Sequence, residues 1–155
     1  MPNIQEFLKT VPVFEDLTDD DLTQILMVGR VRRFPTGTLI INEGSPGGQL
    51  HVIHEGQVRI SKVVPNVGEE ALTILQPGEF FGEVELFDGA PASAHAIAHT
   101  DCSVLAVPHG EMRDFIEKRP NLAAKFFWGF GLVLARRLRD SNDRMASLLA
   151  ISKAF

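Results

Sequence analysis

This sequence predicts a mainly β fold with flanking helices: an antiparallel jelly-roll β-barrel with short N-terminal helices and a long C-terminal helix. Three features point to it. Turn-forming residues recur at short spacing between apolar runs from Val31 to Val107, a capped helical segment precedes them, and past Pro108 the pattern returns to helix. With 45% of 155 residues apolar, there is enough material for one sizeable core, so a single domain over 1–155 is expected.

Residues 1–30 form the helical N-terminal segment, with helix expected over 4–30. Thr18 and Asp21 have capping-box spacing, Leu17 and Leu22 can staple the helix start, and Leu22, Ile25, Leu26 and Gly29 make one face. The barrel, 31–108, is punctuated at Phe34-Pro35-Thr36-Gly37, Asn42-Glu43-Gly44, Pro46-Gly47-Gly48, Glu55-Gly56, Pro65-Asn66-Val67-Gly68, Gln76-Pro77-Gly78 and Asp88-Gly89. Strands are expected at 38–41, 50–54, 57–64, 70–75, 94–98 and 103–107.

The C-terminal part, 109–155, carries helices at 111–118 and 121–150, separated at Pro120-Asn121. The second is about 45 Å long at 1.5 Å per residue, more than a small barrel needs for cover, so it calls for a partner. Leu134, Leu138, Met145 and Leu148 fall on a heptad ladder with Ser141 and Ser152 as polar rungs. That is a seam for a homodimer, with packing on the chain's own barrel as the competing reading. Phe126, Phe127, Trp128 and Phe130 read as core packing rather than a cofactor-stacking set. Arg136, Arg137, Arg139 and Arg144, interleaved with Asp140 and Asp143, read as a solvated, salt-bridged face rather than a DNA surface.

Several function classes are disfavoured. Fifteen Lys and Arg against 20 Asp and Glu give a net charge of −5, which offers nucleic acid or anionic lipid no bulk attraction. The N-terminus lacks a signal-peptide pattern, and the most apolar run, 126–135, is about ten residues where a bilayer needs roughly 20. No membrane span and a cytoplasmic location are expected. Cys102 stands alone, without the cysteine partners of a disulfide or a zinc site.

There is no Gly-x-Ser-x-Gly elbow, phosphate loop or dinucleotide glycine pattern, so no enzyme is expected. A metal-dependent, cupin-like enzyme is the enzymatic alternative. Against it, His51 and His54 point to opposite faces of a strand, His95 and His99 lie about 13 Å apart on one face, and no His-x-His is present.

The chemistry-bearing stretch is 76–94. Gly82 permits close backbone approach, a helical turn over 83–87 aims free N–H groups at an anion, and Glu83 can accept from a sugar hydroxyl. This stretch resembles the phosphate-binding cassette of cyclic nucleotide-binding domains, as in bacterial catabolite activators and regulatory subunits of cAMP-dependent protein kinase, with the cassette over 78–94. Phe7 to Phe14, Phe34 to Ile40, Asn42-Glu43-Gly44, Ile53 to Val58 and Ala135-Arg136-Arg137-Leu138 resemble further parts of that family in order.

The resemblance implies that Glu83 binds a ribose hydroxyl, while Gly82, Val84 and Leu86 fit the motif Phe-Gly-Glu-(Leu/Val)-small-Leu. Where the family places its phosphate-pairing Arg, this chain has Ala92 and then Ser93, and Glu85 stands at the small position. Losing one partner of a buried charge pair costs about 2–5 kcal/mol, roughly 30-fold to a few thousandfold in affinity. The expected function is therefore a non-enzymatic, dimeric regulatory scaffold for an unidentified protein partner, with weak or absent cAMP binding.

The alternative is a sensor for cAMP, cGMP or cyclic di-GMP, held by Gly82, Glu83 and Ser93, with Ser141 and Asn142 at positions where the resemblance implies an adenine cap across a dimer and which read equally as solvated helix positions. His95 adds charge there only when protonated and is read as a neutral strand residue. Transcriptional members continue into a helix-turn-helix domain, whereas this sequence stops at Phe155, so no direct nucleic-acid contact is expected.

Overall fold

The computed structural model describes residues 3–154; Met1, Pro2 and Phe155 of the expected 1–155 unit lie outside the described residues. The N-terminal segment holds two helices, α1 (Ile4–Leu8) and α2 (Asp19–Val28), rather than helix throughout. Pro12, which lacks an N–H and disfavours helix at Val11, lies in the turns between them. The capping box forms: Thr18 Oγ1 accepts from Asp21 N at 3.1 Å, and Thr18 N donates to Asp21 Oδ2 at 3.1 Å. Leu22 and Ile25 are buried, and Gly29 ends α2 against the sheet, where an added Cβ would stand 3.0 Å from Leu105 Cδ1.

Asp21 also pairs with Arg119 Nε at 2.9 Å, tying α2 to the C-terminal region. Burial pushes the Asp21 carboxyl upward, but the Thr18 N–H and the Arg119 guanidinium outweigh it and hold the group below its ordinary value.

Eight strands follow: β1 (Arg30–Phe34), β2 (Leu39–Ile41), β3 (Gln49–Glu55), β4 (Val58–Val64), β5 (Gly68–Leu75), β6 (Phe80–Phe81), β7 (His95–Ala98) and β8 (Cys102–Pro108). They form two antiparallel four-stranded sheets, ordered β1-β8-β3-β6 and β2-β7-β4-β5, so the jelly roll is a sandwich of two sheets rather than a continuously paired barrel. Two strands escape the sequence pattern. β1 is an edge strand, Arg-Val-Arg-Arg-Phe, with too much charge for an apolar alternation, and β6 is only two residues long.

Between the sheets lie Ile53, Val58, Leu75, Phe81, Ala96, Ala98, Cys102 and Val104. The other face of the first sheet, with Leu50, Val52, Leu105 and Val107, packs against the helices through Leu8, Leu22, Ile25 and Met112. β8 is thus covered on both faces, which explains why every residue from Cys102 to Val107 is buried.

A short helix α3 (Glu83–Asp88) sits inside the cassette; α4 (His109–Glu117) and the 35-residue α5 (Pro120–Ala154) close the chain. Of the aromatic cluster, Phe126 and Phe130 enter the core, whereas Phe127 and Trp128 are exposed, because positions four apart share a helix face and the two that follow Phe126 turn away from it. Leu134 is half-buried, and every described residue from Leu138 onward is exposed. No described helix is long and apolar enough to cross a membrane. Among the described residues no three His, Cys, Asp or Glu side chains converge as metal ligands. Cys102 is buried, and burial together with the Asp101 charge pushes its thiol up.

Candidate ligand-binding cassette

The cassette begins at a backbone that only glycine tolerates. Gly82 has φ +82°, and a Cβ there would stand 2.4 Å from Gln49 O. This close approach of β3 turns the chain from β6 directly into α3. His109, at the start of α4, holds the same peptide: its Nε2 donates to Gly82 O at 2.8 Å, which places the ring proton on that nitrogen. Arg113 Nη2 donates to Leu86 O at 3.0 Å. α4 therefore grips α3 at two successive turns.

Glu83 is 5% exposed and pairs with Arg137 of α5, Nη1 to Oε1 at 2.5 Å. Arg137 Nη2 also donates to Phe80 O at 2.5 Å, and its guanidinium lies 5.0 Å from the centre of the Phe80 ring. The expected solvated role of Arg137 is corrected here: the sequence places it among surface charges, and only the docking of α5 turns it onto the cassette. Burial pushes the Glu83 carboxyl above its ordinary value, with Arg137 opposing that rise.

Glu85, also buried, turns its carboxylate back into the cassette, where Oε1 accepts from Ser93 N at 3.0 Å. The backbone N–H following Ala92 is thus already satisfied by an internal anion. Gly82, Glu83, Val84, Ala92 and Ser93 line one small pocket of about 80 Å³ together with Glu85. Leu86 does not line it; it is buried in the helix-side core, since it follows the opposite face of α3. Ser141 and Asn142 lie on the exposed length of α5, away from this pocket within one chain. His95 Nδ1 accepts from Glu43 N at 3.0 Å, so the ring pins the 42–45 turn through a lone pair.

His109, Arg113 and Arg137 are the cassette residues that sequence reasoning did not reach. A signal existed only for Arg137, in Ala135-Arg136-Arg137-Leu138, and it gave the helix but not the direction of the side chain.

A two-sheet jelly roll with a Gly-Glu turn opening a short helix, gripped by two C-terminal helices, defines a ligand-binding regulatory fold. Residues 31–119 match the cyclic nucleotide-binding domain model, and the chain belongs to that family. It is 30% identical over 94% of its length to a CRP-like cAMP-activated global transcriptional regulator from Mycobacterium tuberculosis, of which it spans 63%. It superposes with TM-score 0.70 and 32% identity on the N-terminal domain of a transcriptional regulator from Streptomyces coelicolor, covering 90% of this chain and 94% of that one. It is also similar, at 26% identity and TM-score 0.74, to a c-di-GMP responsive global regulator from Xanthomonas campestris, covering 86% of this chain and 65% of that one.

Proposed function

We propose that this chain is a single, non-enzymatic regulatory unit whose cassette is closed by its own carboxylate, and that it serves as a dimeric scaffold for a protein partner with weak or absent cAMP binding. The bond from Ser93 N to Glu85 Oε1 carries this reading. A cyclic phosphate would have to displace Glu85 and would find no guanidinium at position 92 to replace what it loses in water. The pocket that Glu83 and Ser93 line supports it: at about 80 Å³ it is well under the roughly 300 Å³ at which small-molecule pockets begin, and the larger cavity that adjoins it through Gly82, Glu85 and Ala92 is lined by neither Glu83 nor Ser93.

Calorimetric titration with cAMP, cGMP and cyclic di-GMP tests the reading. No saturable binding of cAMP is expected below about 100 μM, and a submicromolar dissociation constant would overturn the closed cassette. The sensor alternative is favoured by one observation: Gly82 and Glu83 keep the turn and the buried carboxylate that would meet a ribose hydroxyl. Binding of any of the three ligands with a dissociation constant below about 100 μM in that titration would select it.

The dimer is supported by the exposure of Leu138, Met145 and Leu148, 62%, 60% and 66%, along one helix that leaves the body. Leu138→Asp is expected to halve the mass measured by light scattering, because a charge at the seam must be desolvated to pair. An unchanged mass would reject the seam. Arg137 joins the two halves of the proposal, since movement of α5 on dimer formation pulls directly on Glu83.

A further inference from the structure

We propose that the cavity on the far side of Glu85 from the cassette is a second binding site, for a small molecule bearing an oxyanion, either a carboxylate or a phosphate ester. The cavity measures about 330 Å³ and opens between the two sheets; Arg32, His51, Leu39 and Ile41 line it together with Glu85. The cavity shares Gly82, Glu85 and Ala92 with the cassette pocket, but Arg32 and His51, which carry the proposal, line this cavity and not the cassette pocket.

Arg32 is paired in register with Val104, and His51 with Ala106, so both side chains rise from the face of the first sheet that looks toward the second. Among the described residues the Arg32 guanidinium has no carboxylate partner; its recorded contact is the Phe34 ring, 5.0 Å to the centre. His51 is 4% exposed and stacked on Phe81 at 4.6 Å, yet its Nδ1 has no hydrogen-bond partner. A buried polar atom left without a partner destabilises the fold unless a ligand meets it. Burial first, then the charges of Arg32 and His109, lower the imidazole pKa to about 4, with the Gln49 backbone opposing them. At neutral pH the ring is therefore uncharged, with one N–H to donate and one lone pair.

An unpaired guanidinium beside a neutral imidazole donor is a recognition pair for an oxyanion. Leu39 and Ile41 supply an apolar wall for the carbon body of such a ligand. Glu85 faces the same cavity, but its Oε1 is engaged by Ser93 N–H. Its remaining charge disfavours multiply charged anions and suits a ligand that also carries a donor.

Nuclear magnetic resonance of the labelled full chain, titrated with 3-hydroxybutyrate and separately with the diester 2-hydroxyethyl methyl phosphate, each a monoanion that carries a hydroxyl donor, at constant ionic strength and pH 7, tests this. Saturable shifts of the His51 side-chain signals are expected for at least one probe, and the two arms distinguish carboxylate from phosphate chemistry. Arg32→Gln, at an exposed position, is expected to weaken binding at least tenfold. Arg33→Gln, whose register partner Ser103 puts it on the opposite face, removes the same charge and is expected to leave affinity unchanged. His51→Phe keeps the stacking surface and is expected to lose the donor-dependent affinity. No saturation by either probe up to about 20 mM, or equal affinity in Arg32→Gln and wild type, would overturn the site.

Discussion

Replacing Glu85 by alanine together with Ala92 by arginine is expected to raise affinity for cAMP by about 30-fold to a few thousandfold, read by calorimetry. The two changes act on one anion cradle from opposite sides. Glu85→Ala frees the Ser93 N–H and removes a carboxylate from the pocket. Ala92→Arg adds the missing cation at a position that lines both the cassette pocket and the adjoining cavity, where a long side chain finds room.

Neither single change should do much alone. Without the cation, the freed N–H offers one hydrogen bond, worth about 1 kcal/mol net. With Glu85 still present, the new guanidinium pairs with it instead of with a ligand. The gain in the double variant should therefore exceed the sum of the single gains, a coupling that a double-mutant cycle measures directly. An affinity for cAMP no better than that of wild type would mean that Glu85 and Ala92 are not what closes the cassette.

Arg137→Ala is expected to cost about 3 kcal/mol of folding stability at pH 7, measured by denaturant unfolding, because it leaves a buried carboxylate without its counter-charge. The pH dependence identifies the cause. Glu83 has its folded pKa raised by burial, so its contribution is fully present below its ordinary value and is lost as pH rises through the folded one. Removing Arg137 takes away the group that opposes this rise, which extends the window of loss to higher pH. At about pH 4, near or below the ordinary glutamate pKa, most of the deficit should vanish. Adding Glu83→Gln should recover most of the loss at pH 7. A deficit unchanged by pH and by Glu83→Gln would assign it to packing of the Arg137 stem on Phe80 instead.

The two variants also separate binding from coupling. The first acts where Glu85 meets Ser93, on the side of α3 that faces the second sheet. The second acts where α5 meets Glu83, which lies between the cassette and the exposed length of the long helix. A regulatory module needs both contacts, one to sense occupancy and one to pass it on.

Local patterns carried much of this protein's description. The capping box at Thr18, the turn sequence from Phe34 to Gly89, the helical turn after Gly82 and the long final helix each depend on residues close in sequence, so each was legible there. So were the two departures at Glu85 and Ala92, since a motif is itself a local spacing. The strand at Arg30–Phe34 was not legible: an edge strand with one half-buried residue has no apolar period to display.

What the tertiary structure alone decided is where charges point. Arg137 looks like its neighbours Arg136 and Arg139 in sequence, yet it meets Glu83 across 54 positions. His109 reaches Gly82 across 27 positions, and Arg32 and His51 share a cavity only because β1 and β3 flank the same strand. Secondary structure follows from forces acting within a turn or two of chain. The partner of a charge follows from which elements dock, and docking is set by the apolar faces that exclude water rather than by the charged residues themselves.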